Sequence, residues 1–382
     1  MSRQYFSAKE AAQKLGVSLS TLYAYVSRGM IRSEPDSVKR RRRYRAEDVE
    51  ALLARKSDRV LTERKLAGAL SWGEPICESE LTLIQDGELF YRGHPVAELA
   101  LSASYEEVGE ILWQGFHPVE PVVIPDELRS LIAESGYVER FSLILAWMSS
   151  WDERGLDLRP DGVRRTGARI LGALFSTLCE LEPGKSLVQC LAQSWSTGRR
   201  ELETALVLCA DHELNVSAFS ARCVASAGAS PYQVVLAGLA ALSGFRHGGY
   251  SHRVAALFRE AEALGPEEAI RSYLRRGVSP PGFGHQLYPQ GDPRGRILLQ
   301  VLGEPEPLAG SLCQACFDLL EERPNVDFGL AALSRKLKLP TGAPMALFGL
   351  GRCLGWVAHA LEQYATEKLI RPRARYVGVL PQ

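Results

Sequence analysis

Apolar residues recur at spacings of three and four through most of the chain, the period of an amphipathic helix. The pattern is plain at Val108, Ile111 and Leu112, at Leu143, Ile144 and Trp147, at Ile170, Leu171 and Leu174, and at Leu202, Leu206 and Cys209. One stretch differs: Leu81 and Leu83, then Gln85-Asp86-Gly87-Glu88 and Leu89-Phe90-Tyr91, predict a short hairpin turning on Asp-Gly. Strands do not alternate with helices after it, which argues against a parallel nucleotide-binding sheet. The longest apolar run, Val234 to Leu242, falls well short of the roughly 18 residues a bilayer span needs. No charged-then-apolar segment opens the sequence, so no membrane association and a cytoplasmic location are expected.

The first residues carry a separate pattern. Ser7 followed by Glu10 is a capping box that starts a helix from Ala8 to about Leu15, with Ala11, Ala12 and Leu15 inward. Gly16-Val17-Ser18 turns the chain, and Ser18 caps a second helix running to Arg28 with Leu22, Tyr25 and Val26 inward; Gly29 stops it. Lys39 and Arg40 to Arg43 occupy the place of a β-wing before a third helix from about Ala46 to Lys56. Helix, glycine turn, helix and basic wing form a helix-turn-helix pattern. Thr21, Tyr23 and Arg28 are candidates for groove contact by position, and Arg40, Arg41, Arg42 and Arg43 for phosphate contact. A charge run alone is more often a solvated face; after these helices, double-stranded DNA is the expected partner.

Charge distribution supports the division. Residues 1–56 hold 13 Lys and Arg against 6 Asp and Glu, leaving 32 against 39 in the remainder of the 382 residues. With 46% hydrophobic residues the longer part can bury a large core. Residues 58–75 read as a connector. The eight cysteines are scattered, with Cys179, Cys209, Cys223 and Cys353 inside apolar helical patterns, as expected of reduced buried thiols. Cys313 and Cys316 form a single CxxC without a second pair, which suits helix packing, and no metal site is expected.

Candidate chemistry concentrates in polar interruptions. Gly282-Phe283-Gly284-His285-Gln286-Leu287-Tyr288-Pro289-Gln290-Gly291-Asp292-Pro293-Arg294 sets a histidine between glycines on a proline-stiffened loop that ends in an arginine. Asp211-His212-Glu213-Leu214-Asn215 breaks an apolar helix, His247-Gly248-Gly249 follows Gly244-Phe245-Arg246, and Asn325-Val326-Asp327-Phe328 puts an aspartate at the head of another helix. Each alone reads equally as a cap, a glycine turn or a satisfied buried histidine. Together they point to acid-base chemistry on an anionic ligand.

Residues 1–56 resemble winged helix-turn-helix domains of the MerR and excisionase type, through Ser7-Ala8-Lys9-Glu10-Ala11-Ala12, Leu15-Gly16-Val17-Ser18, Thr21-Leu22-Tyr23, Gly29 and Arg43-Tyr44-Arg45. Residues 57–382 resemble citrate synthase, through Tyr91-Arg92-Gly93, the four clusters above, Arg352 with Gly355-Trp356-Val357-Ala358-His359, and Arg371-Pro372-Arg373. The resemblance implies an all-α fold with a large domain and a small one at about residues 249–345, closing over the substrates. It implies condensation of acetyl-CoA with oxaloacetate, CoA entering as substrate with no resident cofactor. Asp327 would be the base, His247 the group that holds the enolate, and His285 the donor to the oxaloacetate carbonyl. His212, Arg294, Arg352 and, from a second subunit of a homodimer, Arg371 would bind the carboxylates.

Departures from the family pattern touch specific positions. Phe245 and Arg246 stand where a small or apolar residue and proline are usual, and Tyr250 where alanine is common. Gln286 and Gln290 stand in a loop where a basic residue is usual, so no CoA ligand is assigned. Two functions are therefore expected: a synthase with an appended DNA-binding module, or a metabolite-sensing regulator on an impaired synthase fold. Arg246 could depress the pKa of His247, meet a substrate carboxylate or point away. Propionyl-CoA, giving 2-methylcitrate, is the alternative substrate, because one methylene shifts discrimination by only about 1 to 3 kcal/mol.

Overall fold

The computed structural model describes residues 4–35, 42–53, 77–304 and 306–381. Contacts divide the chain into two compact units, Met1–Glu78 and Ser79–Gln382. The boundary expected at residues 56 and 57 and the connector at 58–75 lie outside the described residues.

In the first unit, β1 (Tyr5–Ser7) leads directly into α1 (Ala8–Leu15). The capping box is formed: Glu10 N–H donates to Ser7 Oγ, and Ser7 N–H donates to the Glu10 carboxylate. Gly16 closes the helix in the left-handed region, with φ at 63°. Ser18 caps α2 (Leu19–Ser27), where Leu22 is fully buried and Tyr25 and Val26 are half-buried. β2 (Ser33–Pro35) and β3 (Arg42–Arg45) pair antiparallel, and β3 also pairs with β1, giving the order β1-β3-β2. Tyr44 on β3 points into a core with Phe6, Leu15, Leu22, Ile31 and Val49, the last from α3, helical over residues 46–53. Residues 36–41, which hold Lys39, Arg40 and Arg41, lie outside the described residues.

The second unit opens on the expected hairpin, β4 (Thr82–Gln85) and β5 (Glu88–Tyr91), with Asp86 and Gly87 both at positive φ, 54° and 81°. These are the angles of a tight turn that matches strand twist. A two-residue strand, β6 (His94–Pro95), adds to β5, which the alternation did not reveal. Helices follow: α4 (Val96–Ser102), α5 (Tyr105–Trp113), α6 (Asp126–Glu134), α7 (Tyr137–Trp151), α8 (Pro160–Ser176), α9 (Leu187–Ser194), α10 (Arg199–Cys209), α11 (Val216–Ser226) and α12 (Pro231–Leu242). Next come α13 (Ser251–Leu264), α14 (Pro266–Arg275), α15 (Pro293–Val301), α16 (Pro307–Leu320), α17 (Val326–Lys336) and α18 (Ala343–Thr366).

α18 is the axis of this unit. Its 24 residues are buried on every side over Ala346 to Ala360, and it packs against α5, α7, α8, α10, α11, α12 and α17. A helix apolar all round is stable only at the centre of a large core. Close approach to α10 requires glycine: a Cβ on Gly351 would lie 2.6 Å from the Leu206 carbonyl oxygen. The eight cysteines are free thiols, with Cys313 and Cys316 both on α16. No helix among the described residues is long and apolar enough to cross a membrane.

Candidate active site

Chemistry-bearing side chains come from helix ends and from the buried α18. α10 ends at Cys209, and the next residues turn before α11, where Asn215 Oδ1 accepts the Ser217 and Ala218 amides. That turn buries His212. After α12 the chain makes a corner at His247, whose amide donates to the Gly244 carbonyl. The corner admits no side chain at Gly249, where a Cβ would lie 2.6 Å from the Ser243 carbonyl oxygen.

The loop at residues 282–294 pairs with the residues that precede α17. Gly284 N–H donates to the Arg323 carbonyl and Asn325 N–H to the Gly282 carbonyl, each at 2.9 Å, and Asn325 Nδ2 reaches the Gly284 carbonyl at 3.2 Å. Gly282 and Gly284 sit at φ of 90° and 72°, angles that favour glycine. Asn325 Oδ1 accepts the Asp327 and Phe328 amides, capping α17. Asp292 grips Arg294 through Nε at 3.0 Å and Nη2 at 2.8 Å, and its Oδ2 also accepts the Val326 amide at 3.1 Å. His285 and Asp327 are therefore carried on segments bonded to one another.

His212 and His285 meet edge-on, 5.3 Å between ring centroids, with Tyr288 against both at 5.6 and 5.0 Å. Tyr288 Oη lies 3.0 Å from His212 Nε2. The Leu287 amide donates to His285 Nδ1 at 3.2 Å, which leaves the proton of the neutral ring on Nε2. His247 Nε2 lies 3.0 Å from Ser217 Oγ, which donates to Asn215 Oδ1 at 2.7 Å. Arg352 donates through Nε to the Cys209 carbonyl at 2.7 Å and stacks 5.0 Å from the Phe348 ring centroid. Two atoms at this site are sealed from solvent without a hydrogen-bond partner: Arg352 Nη1, a donor, and Asp327 Oδ1, an acceptor.

Burial dominates the electrostatics. It raises the Asp327 carboxyl to about 7, against the opposing pull of Arg294. The N-terminus of α17 favours a carboxylate by about 0.3 to 2 kcal/mol, and desolvation outweighs that. Burial lowers His247 to about 3, with Arg352 and Arg294 adding to the shift, and His285 to about 4, with Arg294 adding. His212 falls well below its usual value through burial and the charges of Arg294, His285, Arg352 and His247. Near neutrality the site therefore holds three neutral imidazoles, a carboxyl poised to gain or lose a proton, and two buried guanidiniums.

Six of the sequence-expected residues thus converge: His212, His247, His285, Asp327, Arg294 and Arg352. Arg371 does not join them; it lies exposed in the segment after α18. Tyr288, Asp292 and Ser217 take part without having been assigned roles from the sequence. The i, i+2 spacing of Asp292 and Arg294 carried a signal for the chelate, whereas Tyr288 finds His212 only through the fold. Phe245 and Arg246 are exposed, with the guanidinium 5.4 Å from the Phe245 ring centroid. The charges acting on His247 are those of Arg352 and Arg294. Arg246 is not among the charges that depress His247, the first of the three expectations for it. Gln286 and Gln290 are exposed as well.

A model for the citrate synthase C-terminal domain matches residues 69–133 and 127–373. The chain belongs to the citrate synthase family. A citrate synthase of Haloferax volcanii is 32% identical over 370 residues, covering 83% of this chain and 96% of that protein. A 2-methylcitrate synthase of Shewanella oneidensis is 26% identical, covering 84% and 97%. Among solved structures, the citrate synthase of Thermoplasma acidophilum in ternary complex with carboxymethyl coenzyme A and oxaloacetate aligns with a TM-score of 0.69 at 26% identity, over 80% of this chain and 95% of that one. The citrate synthase of Thermotoga maritima aligns at 0.68 and 27% identity, over 81% and 95%. A helix-turn-helix model matches residues 5–57, so this family member carries a DNA-binding type of module.

On that module, Tyr23 is 52% exposed and Arg28 is exposed at the end of α2, while the Thr21 hydroxyl is tied to Ser18 Oγ at 2.9 Å. Arg42 is exposed. Arg43 is partly engaged within the protein, 4.3 Å from the Tyr5 ring centroid and 3.8 Å from Glu34.

Proposed function

We propose that the protein condenses acetyl-CoA with oxaloacetate and water to give citrate and CoA. The observation that carries this reading is the pair of sealed, unpartnered atoms, Arg352 Nη1 and Asp327 Oδ1. A buried donor and a buried acceptor left unmatched cost free energy, and a dicarboxylate beside a carbon acid supplies both partners. Asp327, raised to about 7 by burial, takes a proton from the thioester methyl group. His247 donates to the thioester oxygen as it becomes an enolate. The active tautomer has the ring proton on Nδ1, which the Ser217 hydroxyl favours when it turns from Asn215 to donate to Nε2. The enolate carbon attacks the ketone of oxaloacetate while His285 Nε2–H donates a hydrogen bond to the ketone oxygen as it becomes an alkoxide, which takes its proton from the water that enters for hydrolysis. Water then cleaves the citryl thioester, releasing citrate and CoA.

Neither acid nor base alone suffices for so weak a carbon acid, and their concerted action needs a dry site. His212, Arg294 and Arg352 hold the carboxylates, the arginines by forked donation. CoA is a substrate, and the reading requires no resident cofactor. α13 to α17, within about residues 249–345, form the small domain that closes over the ligands. The functional unit is a homodimer in which Arg371 reaches the site of the second copy. The N-terminal module binds double-stranded DNA with α2 in the major groove, and two copies suit a two-fold site. Thr21, Tyr23 and Arg28 face the groove and Arg40, Arg41, Arg42 and Arg43 the phosphates.

The exposed, Phe245-stacked position of Arg246 supports turnover over the regulator-only reading. The test is release of CoA thiol by the full-length protein from oxaloacetate with acetyl-CoA or propionyl-CoA. Release with acetyl-CoA supports the proposal, a higher kcat/KM with propionyl-CoA moves the assignment to 2-methylcitrate synthesis, and no release at high enzyme concentration overturns turnover.

A further inference from the structure

His212 and Arg352 come from different elements, the turn after α10 and the middle of α18. Two groups that hold one small diacid need their separation fixed to about 0.5 Å. Of the three residues before His212, two are hydrogen-bonded to α18 and the third lies against it. The Cys209 carbonyl accepts Arg352 Nε at 2.7 Å, and the Ala210 carbonyl accepts the Gly355 amide at 3.1 Å. At Gly355 a Cβ would stand 2.4 Å from the Ala210 carbonyl oxygen and 2.6 Å from Asp211 Oδ1, so the two elements touch there.

The third residue, Asp211, is a fully buried carboxylate outside the catalytic set. Its Oδ2 accepts the Thr82 hydroxyl at 2.6 Å. Its amide donates to Tyr91 Oη at 3.1 Å. Its Oδ1 faces His359 Nε2, one turn beyond Gly355 on α18, at 3.3 Å but outside hydrogen-bond alignment, and neither atom has a hydrogen-bond partner. His359 Nδ1 lies 3.3 Å from Arg222 Nη1. A guanidinium only donates, so Nδ1 accepts and a proton resides on Nε2, the ring atom nearer Asp211. Arg222 is itself held by Glu362 at 2.9 Å and Gln363 at 3.1 Å.

We propose that Thr82 and His359 are positioning residues for the diacid, acting through Asp211 to set the separation of His212 and Arg352. Beside the Cys209–Arg352 and Ala210–Gly355 hydrogen bonds, the sealed 3.3 Å approach of Asp211 to His359 is the contact nearest His212 that sets the register of α18 against the turn after α10. That register fixes the spacing of Arg352 and His212, so the Asp211–His359 contact selects one spacing of the two diacid-binding groups. Thr82, by holding the other carboxylate oxygen, fixes which way Asp211 faces.

The inference rests on the diacid reading above, and its test separates the two. Oxaloacetate binding to full-length protein is measured by calorimetry, which needs no turnover, alongside steady-state thiol release. Thr82→Val, nearly isosteric, and His359→Leu are each expected to weaken oxaloacetate binding about tenfold while the KM for acetyl-CoA stays within twofold. His359→Gln, which keeps an N–H toward Asp211 and an acceptor toward Arg222, is expected to restore affinity to within threefold of the parent. An unchanged oxaloacetate Kd in Thr82→Val, or a parallel loss of affinity for both substrates in folded variants, overturns the positioning role. Failure of the parent protein to bind oxaloacetate overturns the diacid reading itself and the inference with it.

Discussion

In the N-terminal unit Arg32 meets Glu47 and Asp48, and Arg45 meets Glu34 and Glu47, on side chains of which all but Asp48 are a third or more exposed. In the catalytic unit Asp292 and Arg294, 0% and 4% exposed at their side chains, form an ion pair in the interior. Exposed pairs are worth about 0 to 1 kcal/mol and are screened by salt. Buried charges set the protonation of everything around them. The first unit works by number of charges and reach. The second works by a few charges whose environment is fixed. The contrast predicts opposite sensitivities to pH and salt.

The contrast breaks most sharply at Asp327. Asp327→Asn is expected to lower kcat/KM about 10³-fold or more, within the range a positioned base contributes, while oxaloacetate binding persists. The same variant should be more stable than the parent at pH 8. A carboxyl whose folded pKa is raised contributes stability below its unfolded value and loses it as pH rises through about 7, and asparagine removes that loss. Thermal melts at pH 5 and pH 8 check the sign: the gain appears at pH 8 and shrinks at pH 5.

A smaller effect is expected in the pH profile of the parent. kcat/KM should fall about tenfold per unit below an apparent pKa near 7, as Asp327 is protonated. His247 and His285, near 3 and 4, remain neutral over that range and add no second inflection above pH 5. A flat profile between pH 5 and 8 would remove Asp327 as the base.

The smallest effect belongs to the wing. Arg42→Ala should weaken DNA binding on every sequence and make the log-log salt slope shallower by about 1, the value for one phosphate no longer neutralised. Arg43→Ala should do less, because Glu34 and Tyr5 already engage that guanidinium. Equal effects would mean that Arg43 leaves Glu34 on binding DNA. Thiol release by both variants should match the parent.

Local chemistry made much of this legible in the sequence. The Ser7 and Glu10 box, the Asp86-Gly87 turn, the His247-Gly248-Gly249 corner and the helix head that carries Asp327 each depend on residues within a few positions of one another. What stayed hidden depends on packing between distant segments. Strand register puts Glu34 beside Arg43 and Arg45 and so engages part of the basic wing within the protein. The phenol of Tyr288 reaches His212 across 76 residues of sequence. Arg352 could be placed on an apolar helix from its neighbours, but only the convergence of α10 on α18 shows that one of its nitrogens is sealed and unmatched. The outward stacking of Arg246 on Phe245 is equally invisible to spacing.

The bonding of the loop at residues 282–294 to the start of α17 has a consequence for substrate tolerance. Asp292 and Asn325 bond the segment carrying His285 to the segment carrying Asp327. On the proposed mechanism a bulkier thioester therefore meets two segments tied to each other, and room for an extra methylene is expected at the corner that holds His247, beside Phe348, which packs edge-on to that imidazole at 6.0 Å. On the proposed mechanism, the choice between two-carbon and three-carbon acyl groups is expected to fall to the corner that holds His247, while the segments carrying His285 and Asp327 serve both alike.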